Sequence, residues 1–589
     1  MCGIFAYSGD RLDAQDIVIT GLKQLEYRGY DSWGVACIPQ EKNQTLLVEK
    51  HLGKIGAAES GDRRDSKTAI GHTRWATHGG VTLANCHPHL DIEAEIAVVH
   101  NGIIENADVL RKKLQSSGYV FLSDTDTEVS VYLLKEHMKT LGLVASARAA
   151  FAQLEGLNAF VVLHRPTQQL IAYRKGSPLA VTSSADGTFI ASDAAALAEY
   201  SDKVLFLEDE EVLWCQKGKI TLFAPHSTQE IAVRWEPLQY SVQDMEKGEY
   251  DHFLLKEIAE QPRVLQTLAS NPSQIRNYAE ELAESLVFVG CGSAYNAALL
   301  GSYFFAQHSH QRVQVFIGSE FEHWRDALSE DSFVTFVTQS GETIDLVEKA
   351  QYLKKTDKRF GVLVNRVGST LERLSQHKLL LSAGPEQCVL ATKSYMAMVA
   401  ALYLLAQERV GNVAAGCKEV QAAAQAIPKL MQAGYTKKHL EPLIDMLCKQ
   451  SHIHILGRGA SYPLALEVAL KIKEVTYIPT EGMAGGELKH GSIALIDEGA
   501  VCIVIILDEQ EKQAILSNAQ ELKARGAFII GVSPWADEVF DAFIPVPDCG
   551  ELSVLPALVP LQLLAYRMAL QLGNDPDKPR NLAKSVTVK

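Results

Sequence analysis

The sequence has no Cys-x-x-Cys pair and no excess of basic residues, and it is expected to carry no secretory leader. Nor does it hold an unbroken apolar run of the roughly 18–20 residues that a membrane span needs. Each absence excludes something. The ten cysteines, at 2, 37, 86, 215, 291, 388, 417, 448, 502 and 549, are scattered. They read as reduced thiols of a cytoplasmic protein rather than a disulfide framework or a metal-binding set. Lys and Arg number 56 against 71 Asp and Glu, a formal net charge of −15, which argues against nucleic acid or an anionic membrane as partner. An anionic substrate would need local positive charge or helix N-termini. What is present is core material: 47% of residues are hydrophobic and 22% charged, so there is no signature of disorder. A chain of 589 residues divides into several domains of roughly 100–200 residues each.

The chain begins Met1-Cys2-Gly3-Ile4. A small second residue signals removal of the initiator Met, which would leave Cys2 with a thiol and a free α-amine. With a reference pKa of about 7.7–8.0, that amine can take the thiol's proton, so that one residue supplies nucleophile and base. The alternative is a buried small hydrophobe. Downstream, Leu12 to Leu25 has the spacing of a partly amphipathic helix, ended by Gly29. Short strands are predicted at 35–38, 45–49, 69–72, 96–99, 160–164, 170–173, 179–182 and 189–192. Thr125-Asp126-Thr127-Glu128 signals a helix start. Many short strands with few helices indicate stacked sheets up to about Gln239.

The polar stretch 239–262 reads as an inter-domain linker. Beyond it apolar strands alternate with helices, the pattern of parallel sheets. An internal repeat pairs Leu286-Val-Phe-Val-Gly-Cys-Gly-Ser-Ala-Tyr with Ile453-His-Ile-Leu-Gly-Arg-Gly-Ala-Ser-Tyr. In each a strand ends in Gly-x-Gly and a Tyr, 295 or 462, opens a helix, so two sister α/β domains follow.

Arg74, within Gly71-His-Thr-Arg-Trp-Ala-Thr-His78, suits a carboxylate. Asn101 and Gly102 end a strand with two donors fit for an oxyanion. Asp126 suits an ammonium. Each has a structural alternative: a surface ion pair, a turn and a cap. Thr338-Gln-Ser340-Gly-Glu-Thr343 follows a strand and opens a helix, a phosphate cradle needing no Lys or Arg, or else a capped turn. The matching place in the second copy, Leu507-Asp-Glu-Gln510, is too acidic for phosphate. Glu467, Lys471 and Glu474 share a helical face, either at a site or as a solvated ladder. His490, bracketed by glycines, is an acid/base candidate. Lys584 sits in a tail that is either floppy or folded over a pocket, where Schiff-base chemistry would suit it.

Together, LEYRGYDS, HTRWATHG, VVHNGIIEN, DTDTEV, QSGET, ALEVALKIKE, GELKHG and PRNLAKSVTV resemble the glutamine–fructose-6-phosphate aminotransferase (isomerising), or glucosamine-6-phosphate synthase, family over the whole chain. The resemblance implies an α/β protein. An N-terminal-nucleophile (αββα) glutaminase domain spans 1–238, with a linker over 239–262. Two doubly wound sugar-isomerase (SIS) domains follow at 263–435 and 436–575, and a tail at 576–589 closes the sugar site. Cys2 would attack the glutamine amide, with Asn101 and Gly102 on the oxyanion. Arg74, Asp126, Thr77 and His78 would hold glutamine, and Trp75 would gate an ammonia channel. His490, reaching from the partner of a homodimer, would open the sugar ring. Lys584 would form the Schiff base, and Glu474 with Lys471 would move the proton. Cys291, Gly292, Ser293, Thr338, Gln339, Ser340, Thr343, Val389 and Ala583 would bind the phosphorylated ketose. No metal or redox cofactor is implied.

The chain departs from the family's usual CGTSY, SQSGET and VASTK at Ala294, Thr338 and Ala391, and from its DSAG at Trp33. Ala294 and Ala391 each lose a hydroxyl, a hydrogen bond worth roughly 0.5–1.5 kcal/mol. The alternatives are a paralogue acting on another phosphorylated ketose and a non-catalytic sugar-phosphate sensor.

Overall fold

A computed structural model of the chain describes residues 2–41, 44–56, 58, 64–238 and 242–587. Contacts divide it into two compact units, Met1–Glu246 with Ala583–Lys589, and Lys247–Leu582.

The first unit stacks two antiparallel sheets. Strand Gly3–Gly9 lies inside an eight-stranded sheet between Gly187–Ala191 and Ser66–Arg74, and Ser66–Arg74 also pairs with Ser32–Pro39. Ile96–Gly102, Asn158–His164 and Gln169–Lys175 are neighbours in a seven-stranded sheet. Side-chain alternation builds the layers. Ile4, Ala6, Ala36 and Ile70 face Ala97, Val99, Val161 and Leu213 between the sheets. Phe5, Tyr7, Val35 and Ala69 face the other way, onto helix Ala14–Gln24. Ile96, Val98, Phe160 and Val162 pack on helices Glu128–Met138 and Leu143–Phe151. The layers are therefore helix, sheet, sheet, helix. The first strand had no period-2 pattern to read because both of its faces are buried. Helices Ala107–Ser116 and Leu143–Phe151 and the strands after residue 200 were also absent from the sequence reading.

The second unit holds two five-stranded parallel sheets with the same order. In each, the strand carrying the repeat, Leu286–Gly290 or Ile453–Gly457, has its sequence successor on one side and the third, fourth and fifth strands on the other. The repeat is thus realised as two sister doubly wound layers. They share one apolar core, built from helices including Lys393–Glu408, Val413–Leu430 and Val554–Gln571.

Three readings need correction. The second half of the expected linker is the start of a helix, Phe253–Ala269, that runs through Pro262; residues 239–241 lie outside the described chain. Its polarity misled because the charges are used inside the fold. Glu257 accepts the Gln387 and Cys388 N–H groups at 2.5 and 3.1 Å, and Lys393 Nζ lies 2.5 Å from Glu260. The tail is not one piece. Asp577 caps helix Phe253–Ala269 through the Phe253 and Leu254 N–H groups at 2.8 and 2.7 Å, whereas Ala583–Lys589 groups with the first unit. Finally, one stretch is apolar and long enough to cross a membrane, Gly550–Gln571, with mean hydropathy 1.4 over its most apolar window. It is a core helix, since 94% of that window is buried.

Candidate active sites

In the first unit, alternation alone aims four groups into the inter-sheet layer. Cys2 shares the parity of Ile4, His72 and Arg74 that of Ile70, and Asn101 that of Val99. At the ends of their strands this layer stops being apolar. The Cys2 carbonyl accepts from Asn101 Nδ2 and from Arg28 Nε, both at 3.0 Å. The Cys2 sulfur receives the Trp75 N–H at 3.2 Å and lies 3.5 Å from the Trp75 carbonyl. Burial pushes the thiol above its ordinary value, against the pull of that N–H and of the Arg74 and Arg28 guanidiniums. The thiolate is therefore not preformed and needs a base. Met1, whose removal would free the Cys2 amine, lies outside the described residues.

Asn101 is oriented from behind. His72 Nε2 is 2.9 Å from the His100 carbonyl and 3.1 Å from Asn101 Oδ1. Both are acceptors, so Nε2 carries the hydrogen. Burial holds this imidazole neutral, its pKa pushed down to about 3. With Oδ1 committed to His72, the Asn101 NH₂ must face Cys2. Gly102 has φ +136°, and a Cβ there would meet the Leu157 carbonyl oxygen at 2.1 Å. Only glycine keeps this N–H in place.

Cys2, Arg28, Trp75, Thr77, Asn101 and Gly102 line one pocket, with Ser177, Pro178 and Thr587 completing it. Arg74, His78 and Asp126 are not on its wall. Arg74 is no surface ion pair: it is buried and donates to the Gly80, His78 and Gly79 carbonyls at 3.2, 2.5 and 3.1 Å. It thereby curls its own loop, which Asp31 pins by accepting the Ala76 N–H at 2.8 Å. His78 is exposed. Asp126 is no cap either; it accepts the Ile104 N–H at 2.7 Å and fixes the turn after Gly102. Arg28 and His72 had no assigned role in the sequence. His72 had a signal, a polar residue at an inward parity among apolar ones.

In the second unit the two copies meet at a buried ion group. Lys471, with its side chain 1% exposed, lies 2.7 Å from Glu474 Oε2 and 3.5 Å from Glu467 Oε1 and donates to Ser293 Oγ at 3.0 Å. Glu467 Oε2 accepts from Asn296 at 2.9 Å. These three are not a solvated ladder, because the Glu467 side chain is fully buried and that of Glu474 only 18% exposed. Burial opposes the Lys471 charge, but Glu474 and Glu467 outweigh it and raise its pKa; burial raises that of Glu467.

Ser293 opens helix Ser293–His308 after Gly292, at φ +56°. Burial pushes Cys291, just before it, up to about 11. In the other loop, Thr338 Oγ1 accepts the Gly341 N–H at 3.1 Å and Ser340 Oγ the Glu342 N–H at 3.2 Å. Gln339 and Thr343 are half-buried there, Thr343 preceding helix Ile344–Lys355. Val389 is held through its N–H on the Asp577 carbonyl at 3.2 Å. His490 is exposed at the end of a short helical turn, Gly485–His490. Ala583 and Lys584 are half-buried in the segment that groups with the first unit.

A glutamine amidotransferase domain family matches residues 81–199, and a SIS domain family matches 282–407 and 446–538. The chain is 39% identical over 606 residues to the glutamine–fructose-6-phosphate aminotransferase [isomerizing] of Pyrococcus horikoshii, and 39% identical over 619 residues to that of Bacteroides thetaiotaomicron. Each comparison covers 100% of both chains. Among solved structures, the C-terminal domain of glucosamine-fructose-6-phosphate aminotransferase from Francisella tularensis is similar at a TM-score of 0.52 and 27% identity. That comparison covers 56% of this chain and 99% of the other.

Proposed function

The chain belongs to the glutamine–fructose-6-phosphate aminotransferase family, and from that premise we propose that it moves the amide nitrogen of glutamine to fructose 6-phosphate, giving glucosamine 6-phosphate and glutamate. The observation that carries the first half is the pocket that Cys2 lines together with Asn101 and Gly102, in which Asn101 Nδ2 already reaches the Cys2 carbonyl. With Met1 removed, the Cys2 amine takes the thiol proton, and sulfur attacks the amide carbonyl. Asn101 Nδ2 and the Gly102 N–H receive the oxyanion. The C–N bond then breaks, ammonia leaves with the proton, and water cleaves the thioester to glutamate. Of the residues proposed to hold glutamine, Thr77 lines the Cys2 pocket, and Arg74, His78 and Asp126 stand off its wall. Free ammonia in water is protonated and ceases to be a nucleophile, so the reading requires a shielded route, with Trp75 at its start.

On the sugar side His490, supplied by the partner of a homodimer, opens the ring. The Lys584 amine condenses with the ketose carbonyl, releasing water, and ammonia displaces it. Glu474 then moves a proton from C1 to C2, with Lys471 fixing its charge, and the C1 enol becomes the aldehyde. Phosphate rests on Thr338, Gln339, Ser340 and Thr343; Cys291, Gly292, Ser293, Val389 and Ala583 frame the sugar. The enzyme works in the cytoplasm.

The direct test is product analysis with glutamine and fructose 6-phosphate. Formation of glucosamine 6-phosphate supports the reading. Product only from another phosphorylated ketose would transfer the assignment to a paralogue, the outcome that Ala294 and Ala391 would explain.

Two variants probe the roles. Replacing His72 by Ala frees Asn101 Oδ1 and is expected to lower glutaminase kcat roughly tenfold or more, short of the about 10²–10³-fold cost of losing an oxyanion donor outright. KM should change little, and His72→Gln, which keeps an N–H, should recover part of kcat. An unchanged kcat would remove His72 from the mechanism. For Lys584, borohydride with fructose 6-phosphate should add one sugar to the intact chain and none to Lys584→Ala, as mass spectrometry reads directly. Labelling of the variant would place the Schiff base elsewhere.

A further inference from the structure

The second sister sheet carries a group that the sugar chemistry does not use. His452 and His454 flank Ile453 at the start of strand Ile453–Gly457, so alternation puts both on one face. The neighbouring parallel strand, Thr480–Ala484, places Glu481 in register with His454. The two imidazoles stack, ring centres 4.4 Å apart and planes at 27°. One ligand atom from each of the three residues lies within 4.8 Å of the others, and His452 Nε2 is 3.9 Å from Glu481 Oε2.

None of these contacts is a hydrogen bond. His454 is only 2% exposed, yet its Nδ1 has no partner, and neither has the buried His452 Nε2. A buried ring nitrogen without a partner has given up its hydration with nothing in exchange. Here two imidazoles and a carboxylate converge, and a cation bound among them would give such buried nitrogens a partner.

We propose that His452, His454 and Glu481 form a divalent-cation site at the amino-terminal end of the second sister sheet. Two imidazoles and one carboxylate suit zinc, or nickel or copper, and not the all-oxygen preference of calcium or magnesium. Bond lengths of about 2.0–2.2 Å require the three side chains to close by about an ångström. His452 and Glu481 are partly open to solvent, with side chains 38% and 44% exposed, so an ion can enter and water can complete the shell. The site lies at the strand ends opposite those carrying the sugar loops. It ties the edge strand, which continues directly into Gly485–His490, to its neighbour.

The test uses the full-length enzyme stripped with a chelator and titrated with Zn²⁺ against a chromophoric competitor, and separately with Co²⁺ read by its visible absorption. One tight equivalent per chain is expected, with Co²⁺ bands displaced by Zn²⁺. Glu481→Gln, on the open side of the site, should weaken binding about tenfold or more while leaving the thermal midpoint of the metal-free enzyme in place. His454→Asn should do the same if it folds. Absence of a tight equivalent, or affinity unchanged in Glu481→Gln, overturns the proposal, whatever the activity with fructose 6-phosphate.

Discussion

Cys2→Ala is expected to stop glutamine-dependent formation of glucosamine 6-phosphate, by about 10⁴-fold or more, while isomerisation of the sugar phosphate continues. The size follows from what the residue supplies. In the proposed mechanism sulfur is the atom that bonds to the amide carbonyl, and among the described residues no second thiol lines the Cys2 pocket. Removing the nucleophile leaves only the binding groups and the oxyanion donors. The removal is also local. Alanine gives up the sulfur contacts with Trp75 but keeps the Cys2 carbonyl, and with it the bonds from Asn101 Nδ2 and Arg28 Nε. The pocket therefore keeps its shape. The groups proposed to move the proton in sugar isomerisation, Glu474 and Lys471, belong to the second compact unit, so loss of both activities together would mean that the two chemistries are not separable. Assay with glutamine and, in parallel, of aldose–ketose exchange without glutamine distinguishes these outcomes.

What could be read in advance differs sharply between the two units. The parallel sheets were legible because each βαβ unit repeats, and the repeat carried its Gly-x-Gly turns into both copies at residues 290–292 and 457–459. Alternation was legible in the glutaminase strands but not at Gly3–Gly9, where two cores bury both faces. The linker failed for a different reason. Glu257 and Glu260 look like part of a solvated stretch until their partners at 387, 388 and 393 are brought up by the fold. The same blindness to long-range partners hid Arg28 and His72, whose work is to hold a carbonyl and an amide 26 and 29 residues away. Asp126 and Arg74 were singled out for ligand charges, and the fold gives both side chains backbone partners that local sequence could not show. Each already supports its own loop through backbone groups.

Lys471→Met should have the largest effect on the second unit, removing sugar product and destabilising that unit by about 3–5 kcal/mol at neutral pH. Methionine nearly matches the stem in volume, so the loss comes from charge. Without the ammonium, the Glu467 and Glu474 carboxylates face each other across a site where the Glu467 side chain is wholly buried.

The dependence on pH follows from the direction of each shift. Lys471 has a raised pKa in the fold, so its contribution is fully present below its ordinary value and is lost only as pH rises through the higher folded value. Neutral pH lies inside the stable range. Glu467 is raised as well, by burial, so the folded protein binds its proton more tightly than the unfolded chain does. Stability therefore falls as pH rises from the ordinary carboxylate value through the folded one. Lys471 opposes that rise, and its removal widens the window. The gap in thermal midpoint between Lys471→Met and the natural chain should accordingly shrink between about pH 8 and about pH 5. A gap independent of pH would show that packing, and not the unpaired carboxylates, sets the cost. Adding Glu467→Gln to Lys471→Met should recover much of the lost stability without restoring product, because it removes a buried charge but returns no cation to Glu474.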